Sequence, residues 1–230
     1  MNNYTDCCLC PRNCHVDRTQ GKTGYCGQTD QIRAARAALH MWEEPCISGD
    51  AGSGAVFFSG CTLGCVFCQN HSIAAGSVGK TISVERLAEI FLELQEQKAW
   101  NINLVTAGHF APQVAKALEL AKNRGLQIPV VYNTSGYENV ETLRMFEGLT
   151  DIYLPDFKYL SAENLQVHIL MRRIIRRWQK QLLGRWCGRL EAPGLRSCPG
   201  QWPARLPMNY LWMWHMRMEW IRLWMEACLI

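Results

Sequence analysis

Between residues 54 and 158, short apolar runs alternate with amphipathic stretches four times, and this alternation constrains the fold more than any other feature of the chain. "GAVFFSG" (54–60), "INLVT" (102–106), "PVVYNTSG" (129–136) and "DIYLPDFK" (151–158) read as short strands buried on both faces. Three helices separate them. In "SVERLAEIFLELQEQKA" (83–99), Leu87, Ile90, Phe91 and Leu94 share one helical face and Ser83 can cap the start. "PQVAKALELAKNRG" (112–125) has Pro112 in its first turn and Gly125 as its stop. "ENVETLRMFEG" (138–148) turns Val140, Leu143 and Phe146 inward and ends at Gly148. Strands and helices in this order predict parallel βα units joined by right-handed crossovers.

In such sheets ligands bind at the C-terminal ends of the strands. The chemically distinctive residues fall there. Cys61, Cys65 and Cys68 follow the first strand, "TAGH" (106–109) the second, "YNTSG" (132–136) lies at the third and "PDFK" (155–158) at the fourth. His109 and Lys158 each also read as an ordinary satisfied polar residue at a strand end. The glycine-rich "SGDAGSGAVFF" precedes a strand instead of opening a helix, so it reads as a turn and not as a phosphate loop.

The three cysteines stand in a C-x3-C-x2-C spacing. Thiolates suit zinc or an iron–sulfur cluster. A structural zinc site needs a fourth ligand, and His71 is the nearest candidate. A four-iron cubane is ordinarily held by four cysteines; with three, one iron keeps open positions at which another molecule can bind. Gly60 and Gly64 would relieve crowding where the loop wraps a bulky cluster.

The chain has twelve cysteines. "MNNYTDCCLCPRN" shows no basic segment followed by an apolar core, so no signal peptide is expected and the expected location is the cytoplasm. Thiols stay reduced there, and their clustering favours metal ligation over disulfides. The net charge of +4 comes from the tail: residues 1–166 carry 13 Lys and Arg against 17 Asp and Glu, residues 167–230 carry 11 against 3. The body of the protein therefore gives no sign of nucleic-acid binding. No apolar run has the ~20 residues of a membrane span.

Cys61-x3-Cys65-x-Phe67-Cys68 after a first strand resembles the signature of the radical S-adenosylmethionine superfamily. "GSGAVFFSGCTLGCVFCQN", "NTSGY" and "DIYLPDFKY" resemble, within it, the pyruvate formate-lyase activating enzyme-like group. The resemblance implies an oxidoreductase with a partial parallel (β/α) barrel. It implies a [4Fe–4S] cluster on Cys61, Cys65 and Cys68 whose open iron chelates S-adenosylmethionine. An electron from the cluster then cleaves the cofactor to a deoxyadenosyl radical. Asp156 and Lys158 match an acid–lysine pair near the cofactor. Asn133 and Thr134 match a pair at the preceding strand end, with Asn133 where relatives have an acid. The family's Gly-Gly-Glu-like stretch is here "TAGH", so the carbonyls of Ala107 and Gly108 stand in for it. The implied partners are a low-potential electron donor such as a flavodoxin or ferredoxin, and a glycyl-radical enzyme. No catalytic side chain is assigned.

Before this core, Cys7, Cys10, Cys14 and Cys26 offer four thiolates in a loop-rich segment that can close around zinc or hold a second cluster. The arrangement also resembles the group's N-terminal extension. Cys8 is surplus to the set, and Cys46 reads as a small buried hydrophobe. After Gln166 the character changes. Residues 167–230 hold seven of the nine tryptophans and no Asp. Four βα units are legible where the family has six. The expected domains are a Cys-rich extension at 1–50, an incomplete core truncated after about four βα units at 51–166, and an atypical tail at 167–230. A shifted reading frame is the expected origin of that tail; the alternative is a genuine domain ending in an apolar helix with a narrow polar stripe. An inactive or non-enzymatic metal-binding remnant is the competing reading of the whole chain.

Overall fold

The structure, a computed structural model, describes residues 4–156. Lys158, the tail at 167–230 and the expectations attached to them lie outside these residues. The described residues all fall in one compact unit.

The elements run β1 (Arg33–His40), α1 (Pro45–Ser48), β2 (Ser53–Phe58), α2 (His71–Ala74), β3 (Lys80–Thr81), α3 (Val84–Glu96), β4 (Ile102–Val105), α4 (Ala111–Asn123), β5 (Val130–Thr134), α5 (Val140–Arg144) and β6 (Ile152–Pro155). The sheet has six strands in the order β3-β1-β2-β4-β5-β6. β2, β4, β5 and β6 are parallel neighbours, as the alternation predicts. This mixed, mostly parallel sheet is consistent with a partial barrel.

β1 is absent from the sequence reading. It pairs antiparallel with β2, from Ala34↔Phe58 to His40↔Ser53, with an irregularity between Ala34 and Arg36. Its sequence, "RAARAALH", lacks the β-branched and aromatic residues that mark strands and has no clean alternation of burial. Pairing with β2 makes it a strand. The two-residue β3 then pairs with β1 in the same antiparallel sense.

The helices form as their patterns predict. The Ser83 side chain accepts from the Arg86 amide, which caps α3. Leu87, Phe91 and Leu94 are buried, and Ile90 packs on the core edge. Burying each such side chain stabilises by about 2 kcal/mol. Pro112 lies in the first turn of α4. α5 is shorter than expected. After Arg144 the chain continues in i→i−3 turns, with the amides of Phe146 and Glu147 bonded to the carbonyls of Leu143 and Arg144. Leu143 and Phe146 are still buried.

The helix-side core joins Val56, Phe58, Leu104, Val130 and Tyr132 to α3 and α4. The opposite face carries Ala55, Asn103, Val131 and Asn133, the alternate residues of the same strands. Cys46 is only partly buried, because α1 is a single turn at the surface.

Candidate metal and cofactor site

The cysteine loop leaves the C-terminal end of β2. Gly60 (φ 84°) and Gly64 (φ 69°) hold left-handed turns there. A Cβ on Gly60 would stand 2.5 Å from the Cys26 carbonyl oxygen, and one on Gly64 would stand 2.6 Å from the Tyr25 hydroxyl. The glycines thus mark where the N-terminal extension presses against the loop. Cys61 and Cys68 pack beside buried Leu63, Cys65 and Tyr137. The Leu63 amide donates to Cys61 Sγ at 3.4 Å. Val66 and Phe67 are exposed.

The extension also grips the loop directly. Arg12 Nε donates to the Thr62 carbonyl at 3.0 Å and Nη2 to the Leu63 carbonyl at 3.1 Å. Its guanidinium lies 3.4 Å from the Tyr25 ring centre and 5.7 Å from that of Tyr137. One arginine between Cys10 and Cys14 therefore fixes the backbone between Cys61 and Cys65.

His71 begins α2 and is exposed. Cys61, Cys65, Cys68 and His71 are not gathered around one point as ligands of a single ion. Among the described residues, the three donors that do lie within 4.8 Å of one another are Asp6, Cys8 and His15. A cubane spreads its thiolates farther apart than one ion does. Three soft donors on a glycine-turned, partly buried loop suit such a cluster with one iron left open.

Hydrogen bonds tie the other strand ends into one rim. The Thr106 amide donates to the Asn133 carbonyl at 2.9 Å and the Asp156 amide to the Thr134 carbonyl at 2.7 Å. Asn133 and Asp156 are half-buried on this rim, and Ala107 is fully buried. Thr134 turns its hydroxyl to the helix side, where it donates to Glu138 Oε1 and accepts from the Gly136 amide at 3.1 Å. That hydroxyl faces away from Asn133. A Cβ on Gly108 would meet Glu138 Cγ at 2.9 Å and the Tyr132 hydroxyl at 3.1 Å.

Two residues here, Glu138 and Asn103, were silent in the sequence. Glu138 is 3% exposed, its Oε2 has no partner, and burial lifts its carboxyl to about 7 against the pull of the Thr134 hydrogen bond. Asn103 is buried on the face that carries Asn133, with both amide atoms unpartnered. His109 sits 2.7 Å from the Ser59 carbonyl through Nε2, which must donate, since a carbonyl only accepts. Its Nδ1 is unpartnered, and burial pushes the ring down to about 4. The reading of His109 as a satisfied polar residue thus holds for one nitrogen of two. Nothing in "GYEN" or "NINLV" separates such residues from ordinary surface polars.

In the extension, Cys7 is buried and accepts from Arg18 Nη1 at 3.8 Å. The Tyr25 amide donates to Cys14 Sγ at 3.4 Å. Burial pushes the Cys10 thiol up to about 12, and Cys14, Cys26 and Cys7 add to the rise. Burial likewise raises Cys26, while Arg18 lowers it. The four cysteines thus act on one another electrostatically as neighbours, but, like the cluster loop, they do not bring three donor atoms within 4.8 Å of one another. Arg18 is fully buried among carbonyls, a sulfur and rings: it donates to Thr29 O, to His109 O at 2.7 Å and to Cys7, over Tyr4 and Phe110. The carbonyls and ring faces around it offset the cost of burying this cation.

The family model described as the Radical SAM superfamily matches residues 55–184 and so runs past Gln166, where the legible βα pattern ends. The chain is similar to an uncharacterized protein of Methanocaldococcus jannaschii, at 30% identity over 169 residues. That similarity covers 70% of this chain and 48% of the relative, so the chain spans about half the length of the curated relative it matches. The matched span takes in more than half of the chain, and with it the three-cysteine loop at the sheet's C-terminal rim: this protein belongs to the radical SAM superfamily.

Proposed function

We propose that this protein is an iron–sulfur enzyme that cleaves S-adenosylmethionine reductively, in the manner of the pyruvate formate-lyase activating enzyme-like group. The observation that carries the reading is the loop of Cys61, Cys65 and Cys68 at the C-terminal end of β2. Those cysteines would hold a [4Fe–4S] cluster, which when bound supplies the electron that breaks the carbon–sulfur bond. The chain's own residues position the cofactor. The Ala107 and Gly108 carbonyls, Asn133, Asp156 and Lys158 are the proposed contacts at the rim; Thr134, whose hydroxyl bonds Glu138, supports the turn instead of reaching inward. Cys7, Cys10, Cys14 and Cys26 are proposed to hold a second metal. A low-potential flavodoxin or ferredoxin would deliver the electron, and a glycyl-radical enzyme is the proposed recipient.

The test is anaerobic reconstitution with iron and sulfide, followed by reductant and S-adenosylmethionine. Deoxyadenosine should form in wild type and fall to background in Cys65→Ser. A reconstituted protein that binds iron at Cys61, Cys65 and Cys68 and yields no deoxyadenosine would favour the metal-binding remnant instead. Mixing with a candidate glycyl-radical enzyme should then give a glycyl signal in electron paramagnetic resonance; deoxyadenosine without that signal would confine the proposal to a different substrate.

A further inference from the structure

We propose that Asp6, Cys8 and His15 form a separate surface site for a zinc-like divalent ion. The site does not depend on the cluster loop or on the four other extension cysteines. All three donor atoms lie within 4.8 Å of one another. Cys8 Sγ is 3.6 Å from His15 Nδ1, and Asp6 Oδ1 is 2.8 Å from the same nitrogen. Bonds of about 2.3 Å from zinc to sulfur and about 2.0 Å to nitrogen, at the tetrahedral angle, would set sulfur and nitrogen about 3.5 Å apart. The observed Cys8–His15 edge of 3.6 Å is close to that, and the Asp6–His15 hydrogen bond of 2.8 Å would open to about 3.3 Å as both bind one ion. A mixed thiolate, imidazole and carboxylate set suits zinc, leaving a fourth position for water or an incoming ligand.

The backbone builds the site in advance. The Cys7 amide donates to the Val16 carbonyl and the His15 amide to the Cys7 carbonyl, both at 3.1 Å. These bonds set residues 7 and 8 opposite 15 and 16. Cys7 points inward to Arg18, while its neighbour Cys8 points outward, beside Asp6 and His15. Asn139 Nδ2 donates to the Cys8 carbonyl at 2.6 Å and pins that residue to the loop after β5. The side chains of His15 and Asp6 are 64% and 67% exposed, so an ion reaches them from solvent. A Cys–His–Asp nucleophile is the other chemistry these residues suggest. It requires the thiol and the carboxylate on opposite ring nitrogens, whereas both lie nearest Nδ1.

The test uses the full chain, reduced and anaerobic, with zinc as the probe and iodoacetamide alkylation mapped cysteine by cysteine. Zinc should slow alkylation of Cys8 in proportion to occupancy, about tenfold when free zinc is about ten times Kd. His15→Ala and, separately, Asp6→Asn should restore the metal-free rate at Cys8. Cys10, Cys14 and Cys26 report in the same digest on the four-thiolate site, so its presence or absence is read independently. Cys8 reacting equally fast with and without zinc would overturn the proposal. So would protection at Cys8 that survives both substitutions, because it would then come from metal bound elsewhere. Asp6→Asn removes one ligand from an exposed surface and so tests the site even where His15→Ala folds poorly.

Discussion

Two buried titratable residues, Glu138 and His109, set opposing pH dependences. Glu138 titrates near 7 in the fold and near 4.5 when unfolded, so the folded state holds its proton longer. Stability contributed by the neutral acid is present at low pH and is lost as pH rises from about 4.5 through 7, by about 3 kcal/mol in all. His109 titrates near 4 in the fold against 6.5 unfolded, so its contribution is present above about 6.5 and lost as pH falls through 4. Between about 4.5 and 6.5 the two slopes oppose each other. Glu138→Gln keeps an oxygen to accept from Thr134 and removes one slope. Urea unfolding of that variant should show stability rising from pH 4 to 6.5 and then level, with a gain over wild type of about 3 kcal/mol at pH 8. Equal stability of the two proteins at pH 8 would place the Glu138 carboxylate in contact with water. None of this is legible in the sequence. A cysteine spacing announces a metal because thiolates are rare and their chemistry is local. A buried acid differs from an exposed one only through neighbours that the fold brings to it, here Gly108 from the rim after β4.

At the scale of elements, period and punctuation carried most of the fold. Strands β2, β4, β5 and β6 and helices α3 and α4 lie where the alternation sets them, because both faces of a parallel strand demand apolar residues. β1 escaped because pairing with β2, and not composition, makes it a strand. The grip of the extension on the cysteine loop escaped too, although Arg12 stands in plain sight between two cysteines. Its two carbonyl partners are 50 and 51 residues away. Arg12→Ala should remove two charge-assisted hydrogen bonds, about 2 kcal/mol of support for the loop. In reconstituted protein the expected outcome is iron loss to a chelator about tenfold faster, with far-ultraviolet circular dichroism unchanged. Arg12→Lys, which cannot make the forked contact, should fall between. Iron loss at the wild-type rate in Arg12→Ala would show that the loop holds its shape alone.

For the whole molecule, the joint between extension and sheet rests on Arg18. Arg18→Met keeps much of its volume and leaves the carbonyls of Thr29 and His109 without their donor, at a cost of about 3 kcal/mol. Unfolding followed by Cys10 alkylation and by circular dichroism should remain a single transition, shifted to lower urea in both probes. Separate transitions would make the extension an independent unit. The partners of this joint are far apart in the chain. Asn139 and Thr142 hold the carbonyls of Cys8 and Leu9 across 131 and 133 residues. On the ribosome, at about 5–20 residues per second, residue 142 follows residue 9 by roughly 7–27 seconds. Cys8 and Leu9 are therefore docked there only after residues 139 and 142 have been made. Until then the backbone at Cys8 and Leu9 lacks the two hydrogen bonds that hold it against the loop and helix after β5.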